Sequence, residues 1–289
     1  MARLIVGCGY LGSRVARRWL DAGDDVFVVT RSPNRAAALA AQGYRPLLAD
    51  VTAPATLGGW PAAETVLYAV GYDRAAAKTI EQVFLEGLGN VLAVLPATTR
   101  RLIYISSTGV YGDSEGEWVD EATPCQPTRP GGRACLAAEQ ILLGHPLAER
   151  SVVLRLAGIY GPGRIPRQSA LLAAEAIAAP RHGYLNLIHV DDAVEAVVAA
   201  AERPIDLPRI YLVADGNPGR REDYYAELAR QVGAPPPRFV EPPAVSPAAE
   251  RAAADKRISN TRMLDELGIR LRYPSYREGL AAIVTNDTS

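Results

Sequence analysis

Lysine is nearly missing from this 289-residue chain: 29 of its 31 basic residues are arginine, and only Lys78 and Lys256 carry an amine. Any role that needs an ammonium must fall to one of those two. Cysteine is scarce as well. Cys8, Cys125 and Cys135 are three in number, with no C-x-x-C spacing, so the chain shows neither a disulfide framework nor a cysteine zinc site. His145, His182 and His189 are too scattered for a metal motif. Neither sign of charge prevails: the net charge of −1 gives no electrostatic reason to expect nucleic acid or an anionic membrane as a partner. No apolar run approaches the roughly 18 to 20 residues of a membrane span, and residues 4 to 6 are too short for a signal-peptide core. The expected location is the cytoplasm. A hydrophobic fraction of 48% and a charged fraction of 22% are those of a soluble globular protein, long enough for one large domain or two ordinary ones.

What is present begins at once. Arg3-Leu-Ile-Val6 has strand character and runs straight into Gly7-Cys8-Gly9-Tyr10-Leu11-Gly12, after which Ser13 to Leu20 continues at helical period. Leu11, Val15 and Trp19 form its apolar stripe. G-x-G-x-x-G between a strand and a helix lets backbone approach a pyrophosphate, and the N–H groups at the helix start supply the positive end of a dipole. An ordinary tight turn is the competing reading. The strand before the motif, the helix after it and a second strand at Val26–Val29 favour the phosphate cradle.

The chain then alternates. A helix is expected over Arg35–Gln42, strand residues at Pro46–Ala49 lead into Asp50-Val51, and Thr65–Val70 forms another strand that stops at Gly71. A helix from about Ala76 to Leu95 returns to a strand at Leu102–Ile105, followed by Ser106-Ser107-Thr108-Gly109-Val110-Tyr111-Gly112. Pro130-Gly131-Gly132-Arg133-Ala134-Cys135 opens a helix through Leu142, and Val152–Leu156 is the sixth strand. Near-continuous apolar strands alternating with helices predict an α/β fold with a doubly wound parallel sheet. Beyond residue 157 the expectations are a loop at Gly158–Gly163, helices at Gln168–Ala179 and Val190–Glu202, and an extended segment at Tyr184–His189. A seventh strand at Arg209–Ala214 precedes a helix at Glu222–Gln231. A stiff stretch follows through Pro235–Pro237, Pro242, Pro243 and Pro247, then short helices at Thr261–Leu267 and Ser275–Val284.

These segments together resemble the extended short-chain dehydrogenase/reductases, in their atypical epimerase/dehydratase-like branch. The likeness is carried by the glycine turn, Asp50-Val51, Ser106 to Gly112, Leu154-Arg155-Leu156 with Ile159-Tyr160-Gly161-Pro162-Gly163, and Ile188-His189-Val190-Asp191-Asp192-Ala193. Lys256-Arg257-Ile258-Ser259-Asn260 with Leu267-Gly268 and Arg277-Glu278-Gly279-Leu280 complete it. The resemblance implies a Rossmann domain over 1–157, completed by segments within about 184–214, and a smaller α+β substrate domain from 158–183 and 215–289. It implies a small-molecule ligand or substrate in the interdomain cleft and a homodimer paired through two helices of the cofactor domain. It implies cofactor contacts at Gly7, Gly9, Tyr10, Leu11, Gly12, Asp50, Val51, Ala69 and Val70, with Asp50 accepting from the adenine amino group. A turn carboxylate is the alternative for Asp50. After the second strand, where NAD-preferring relatives place an acid, stands Thr30-Arg31-Ser32. A guanidinium there forks onto a 2′-phosphate, so NADP is expected over NAD; a solvated surface Arg is the alternative.

The resemblance also marks departures. Such enzymes use a Ser or Thr with a Tyr and Lys spaced Y-x-x-x-K, the ammonium lowering the phenol's pKa. Here Gly131 stands at the Tyr position and Cys135 at the Lys position. Ser107 occupies the place of the catalytic hydroxyl, or bonds backbone at a strand end. Thr108 and Gly109 replace the Asp-Glu pair of dehydratases, which disfavours sugar 4,6-dehydration, and Phe84 reads as core. Tyr160, Tyr72, Asp73 and His189 are candidate substitutes, Tyr160 first among them, against the favoured structural reading of each: the resemblance implies a structural Tyr-Gly-Pro turn at Tyr160, and His189 precedes a helix with Asp191 and Asp192 as first-turn caps. Cys135 reads as a buried small residue. Two functions stay open: an NADP(H)-dependent oxidoreductase or epimerase acting on a carbonyl or nucleotide-sugar-like substrate through a non-standard acid/base, or a catalytically silent cofactor sensor or scaffold.

Overall fold

The computed structural model describes residues 1–73, 77–243, 246, 249 and 254–287. Ala76 and Pro247, which belong to the expected central helix and the proline-rich connection, lie outside them. Two compact units result. The first comprises residues 1–107, 130–155 and 196–211; the second comprises 108–129, 156–195 and 212–289. Residues 108–129, assigned to the cofactor domain from the sequence, thus group with the second unit.

Seven strands form one sheet: β1 (Ala2–Val6), β2 (Asp25–Thr30), β3 (Arg45–Leu48), β4 (Thr65–Tyr68), β5 (Arg101–Ser107), β6 (Ser151–Leu156) and β7 (Arg209–Val213). Their order is β7-β6-β5-β4-β1-β2-β3, and β1 pairs in parallel with both β2 and β4. The chain therefore winds outward from β1 to one edge and then from β4 to the other, which opens a crevice at the strand ends between β1 and β4. All seven strands stand where the apolar runs place them.

The helices of this unit follow from burial pattern and capping. α1 (Tyr10–Asp21) buries Leu11, Val15, Ala16 and Trp19 on one face. α2 (Pro33–Ala41) starts with proline at its first position, and Ser32 caps it by accepting from the Arg35 N–H at 3.3 Å. The expected helix over 76–95 is shorter and two-part, a π-helix at Gln82–Glu86 running into α3 (Gly87–Val94). Thr79 and Gln82 box its entrance: the Thr79 N–H donates to Gln82 Oε1 at 3.0 Å and the Gln82 N–H to Thr79 Oγ1 at 3.2 Å. α4 (Pro130–Leu143) packs on α3 and β5. Leu4, Val66, Leu88, Leu92, Leu102 and Val153 meet in a core whose fully buried aliphatic side chains contribute about 1.5 to 3 kcal/mol each.

The second unit holds α5 (Gln168–Leu172), the first part of α6 (Val190–Glu202), α7 (Arg221–Gln231), α8 (Thr261–Leu267) and α9 (Tyr276–Asp287). Short strands join distant segments. Gly158–Tyr160, expected as loop, is a strand paired in parallel with Leu187–His189. The helix expected over 168–179 ends at Leu172, because Ala174 takes φ 54 and Ile177–Ala178 pairs with Phe239–Val240. Its core is aromatic: Tyr224 lies edge-on to Tyr225 and Tyr276 at 5.2 and 5.3 Å. Among the described residues no helix is long and apolar enough to cross a membrane, and no group of His, Cys, Asp and Glu could hold a metal ion.

Candidate active site

The first unit's crevice is shaped by the glycine turn. Gly7 takes φ +102, and a Cβ there would stand 2.5 Å from the Ala69 carbonyl carbon, so the close approach of the turn to the end of β4 requires glycine. Gly12 lies against the Gly7 carbonyl in the same way. Gly9 differs. It caps α1, its carbonyl accepts from the Ser13 N–H at 2.9 Å, and nothing stands within 4 Å of where its Cβ would be. Its backbone is open to a ligand.

A cavity of about 370 Å³ lies over this turn. Gly7, Cys8 and Gly9 form one wall, Thr30, Arg31, Ser32 and Arg35 a second, and Asp50, Val51, Ala69, Val70, Gly71 and Asp73 line it further, with Val83 of the π-helix. Of the cofactor residues expected from the sequence, Tyr10, Leu11 and Gly12 are not on this lining. Leu11 is buried in the core, and Tyr10 lies under the Arg14 guanidinium at 4.0 Å. Asp50 combines both readings made of it: it lines the cavity, while its Oδ1 accepts from the Thr52 N–H and Oγ1 at 2.8 Å each, as a turn carboxylate does. The Val51 carbonyl is held by Asn90 Nδ2 at 2.9 Å.

Sequence reasoning passed over Arg35. It sits one helical turn beyond Arg31, at the third residue of α2, and its Nη2 donates to the Cys8 carbonyl in the middle of the glycine turn. A helical side chain leans toward the helix N-terminus, and that tilt is the signal that could have found it. Beside it, burial pushes the Cys8 thiol up and the guanidinium pulls the other way. An open backbone at Gly9 and two guanidinium-bearing residues on the adjacent wall fit a dinucleotide, with Gly7 to Gly9 at the pyrophosphate and Arg31, Ser32, Arg35 and Asp50 toward the adenosine end.

On α4, Gly131, Cys135 and Glu139 fall at i, i+4 and i+8 on one face. The position at Gly131 is uncrowded: among the described residues a Cβ there would meet Ile80 Cδ1 alone within 4 Å, at 3.7 Å. Cys135 is buried, as expected. Glu139 is 1% exposed and fully engaged, accepting from Ser106 Oγ at 2.5 Å and from Arg155 Nη2 and Nε at 2.7 and 3.1 Å. This buried, bidentate pair fixes the end of β5, where Ser107 is half-buried.

In the second unit the candidate groups are engaged inside the fold. Tyr160 has no exposure, its hydroxyl donates to the Ser275 carbonyl at 3.3 Å, and the Gly279 backbone closes over it. Burial raises its pKa well above the usual phenol range. These surroundings favour the packing role of Tyr160 over that of a substitute acid. His189 is buried edge-on to Tyr160 at 5.3 Å and lies against Tyr273 at 3.9 Å with the rings tilted by 46°, its Nδ1 accepting from the Asp191 N–H at 3.2 Å. Asp192 sits in the first turn of its helix with Asp191, as expected, and its carboxylate also accepts from the Arg272 and Tyr273 N–H groups at 2.7 and 3.0 Å. Lys256 is buried, with Nζ donating to the Tyr111 and Gly112 carbonyls at 3.1 and 3.0 Å, and burial, reinforced by the Arg129 charge, pushes its pKa down to about 8. Asp215 Oδ1 accepts from the Asn217 N–H at 3.0 Å while Oδ2 has no partner among the described residues; burial, with Asp192 and Glu278 nearby, pushes its pKa up to about 7.

Comparison with known proteins places the fold and the family. Protein YeeZ of Escherichia coli (strain K12) is 34% identical over 175 residues, which span 60% of this chain and 59% of YeeZ, less than two thirds of that relative's length. A 3-diazoavenalumate denitrifying reductase of Streptomyces sp is 28% identical over 214 residues, 68% of this chain and 69% of the relative. The solved structure of a functionally unknown conserved protein from Silicibacter pomeroyi DSS superimposes with a TM-score of 0.78 at 30% identity, covering 100% of this chain and 99% of that one. The NAD dependent epimerase/dehydratase family matches residues 4–214, most of the chain including all seven sheet strands but the first two residues of β1, and the chain belongs to that family.

Proposed function

We propose that this chain binds NADP(H) in the first unit's cavity and works as an oxidoreductase on a carbonyl or nucleotide-sugar-like substrate without the Tyr/Lys pair. The observation that carries the reading is the cavity itself: an open backbone at Gly9 faces the same space as Arg31, Ser32 and Arg35. Arg31 follows β2 directly, where a guanidinium meets a 2′-phosphate and a carboxylate would meet a ribose 2′-hydroxyl. When bound, the nicotinamide supplies or accepts a hydride. Ser107, set at the end of β5 by the Ser106–Glu139–Arg155 network, orients the substrate oxygen. The relative from Streptomyces sp, a reductase by name, supports reduction as the direction. We place the protein in the cytoplasm, as a homodimer.

Gly131 favours a second reading. Glycine itself carries no phenol, and among the described residues a Cβ there would meet Ile80 Cδ1 alone within 4 Å, which suits a cofactor-sensing or scaffold protein that holds NADP(H) without turnover. Direct fluorescence titration with NADPH and NADH tests the shared part: NADPH is expected to bind at least tenfold tighter, with the preference lost in Arg31→Ala. Equal affinities in the wild type would sink the NADP(H) assignment. NADPH oxidation followed by absorbance against carbonyl and nucleotide-sugar panels separates the two. Turnover supports the enzyme; silence together with tight binding and a cofactor-dependent protein partner supports the sensor.

A further inference from the structure

Arg35 touches two parts of the cavity that the chain keeps far apart in sequence. Its backbone N–H is held by Ser32 at the start of α2, and its side chain reaches across to the Cys8 carbonyl, 27 residues away in the glycine turn. Cys8, Ser32 and Arg35 all line the same cavity. A guanidinium is planar and carries five N–H donors in a fixed fork, so one donor on a carbonyl leaves the others available without any change of rotamer. The Cys8 carbonyl belongs to the peptide between Cys8 and Gly9, and a trans peptide is rigid. Holding that oxygen therefore fixes the plane that carries the Gly9 N–H.

We infer that Arg35 is a specificity-determining and positioning residue for the dinucleotide: it pins the glycine turn in its pyrophosphate-ready shape and presents its remaining donors to the 2′-phosphate. The inference rests on the NADP(H) reading above and adds to it a division of labour. Arg31 contributes charge at the adenosine end alone. Arg35 contributes charge there and shape at the turn, so removing it weakens ligands that carry no 2′-phosphate as well.

Two fragments separate these roles. 2′,5′-ADP carries the discriminating phosphate without the pyrophosphate, and ADP-ribose carries the pyrophosphate without the discriminating phosphate. Isothermal titration of both into the full chain gives the test. Arg31→Ala is expected to weaken 2′,5′-ADP about 30-fold, the loss of a charge-assisted fork, and to leave ADP-ribose within about twofold. Arg35→Ala is expected to weaken 2′,5′-ADP by a similar factor and ADP-ribose about fivefold, the worth of one ordinary hydrogen bond. Arg35→Gln keeps an N–H donor for the Cys8 carbonyl and removes the charge, so it should recover ADP-ribose and not 2′,5′-ADP; it also serves if the alanine variant fails to fold. Unchanged ADP-ribose affinity in a folded Arg35→Ala variant overturns the positioning role, and unchanged 2′,5′-ADP affinity overturns the specificity role. Wild-type protein that binds ADP-ribose but not 2′,5′-ADP overturns the NADP(H) reading, and with it the specificity role, while the response of ADP-ribose to Arg35→Ala still decides the positioning role. If neither fragment binds, both fall.

Discussion

The cavity wall of the first unit and the core of the second dispose of their polar side chains in different ways. In the first, Arg31, Ser32, Asp50 and Asp73 line a cavity over an open stretch of backbone. In the second, Tyr160, His189, Asp192 and Lys256 are buried, and each has a hydrogen bond to backbone of its own unit. Residue type alone does not separate the groups: a Tyr, a His, an Asp and a Lys are the usual actors of acid/base chemistry. What separates them is where they end: in the core of the second unit or on a cavity wall of the first. A buried phenol on a carbonyl is a brace, while an aspartate on a cavity wall keeps the capacity to meet a ligand.

The largest expected effect lies in the first unit. Gly7→Ala places a Cβ 2.5 Å from backbone of Ala69 at a φ of +102. It should lower stability by about 3 kcal/mol and reduce NADPH binding about 100-fold. Thermal melts and titration measure both, and a variant that melts and binds like the wild type would dissolve the contrast between cavity and core.

In the second unit the expected effects follow pH, with opposite signs. Asp215 has a folded pKa raised to about 7, so its protonated form is favoured in the fold; its stabilising contribution is complete below the ordinary carboxylate range and fades as pH rises through 7. Asp215→Asn should therefore gain on the order of 2 kcal/mol over the wild type at pH 8 and show no such gain at pH 4. Lys256, with a folded pKa lowered to about 8 from an ordinary 10.5, behaves in reverse: the wild type gains stability as pH climbs from 8 toward 10.5, and Lys256→Met loses that rise. Urea melts across pH 4 to 10 read both. Parallel profiles for wild type and variants would show that these groups are hydrated, contrary to their burial.

The smallest effect sharpens the comparison most. Tyr160→Phe removes one hydroxyl bonded at 3.3 Å to the Ser275 carbonyl, and should cost about 1 kcal/mol of stability. Any NADPH-dependent turnover should stay unchanged within twofold, whereas Ser107→Ala should lower it about tenfold with NADPH affinity intact. A Tyr160→Phe variant that folds and loses turnover would return Tyr160 to the chemistry.

How much could be read beforehand follows from the range of the interactions involved. The strands and the glycine turn are written in contiguous residues, and the Val190–Glu202 helix in an unbroken helical period, so all of these stand where the sequence puts them. Gln168–Ala179 is alanine-rich and helical by propensity. It yields after Leu172 because a partner strand some 60 residues on, Phe239–Val240, offers Ile177–Ala178 a ladder, and pairing of that range is invisible to a local window. Arg35 escaped for a related reason. Its partner is a backbone carbonyl, which every residue has and no motif marks. The engagement of Lys256 by two carbonyls about 145 residues away is of the same kind.

The three glycines of the opening turn, read together, separate what the fold demands from what a ligand demands. Gly7 and Gly12 are demanded by the fold, since neighbouring backbone fills the space a side chain would take. Gly9 is not: the space beside it is empty protein-side, and a methyl group there would offend nothing in the chain. Folding alone would let Gly9 drift to alanine or serine while holding the other two in place. Gly9 is thus the position of the three at which ligand approach, and not folding, would set the limit on substitution.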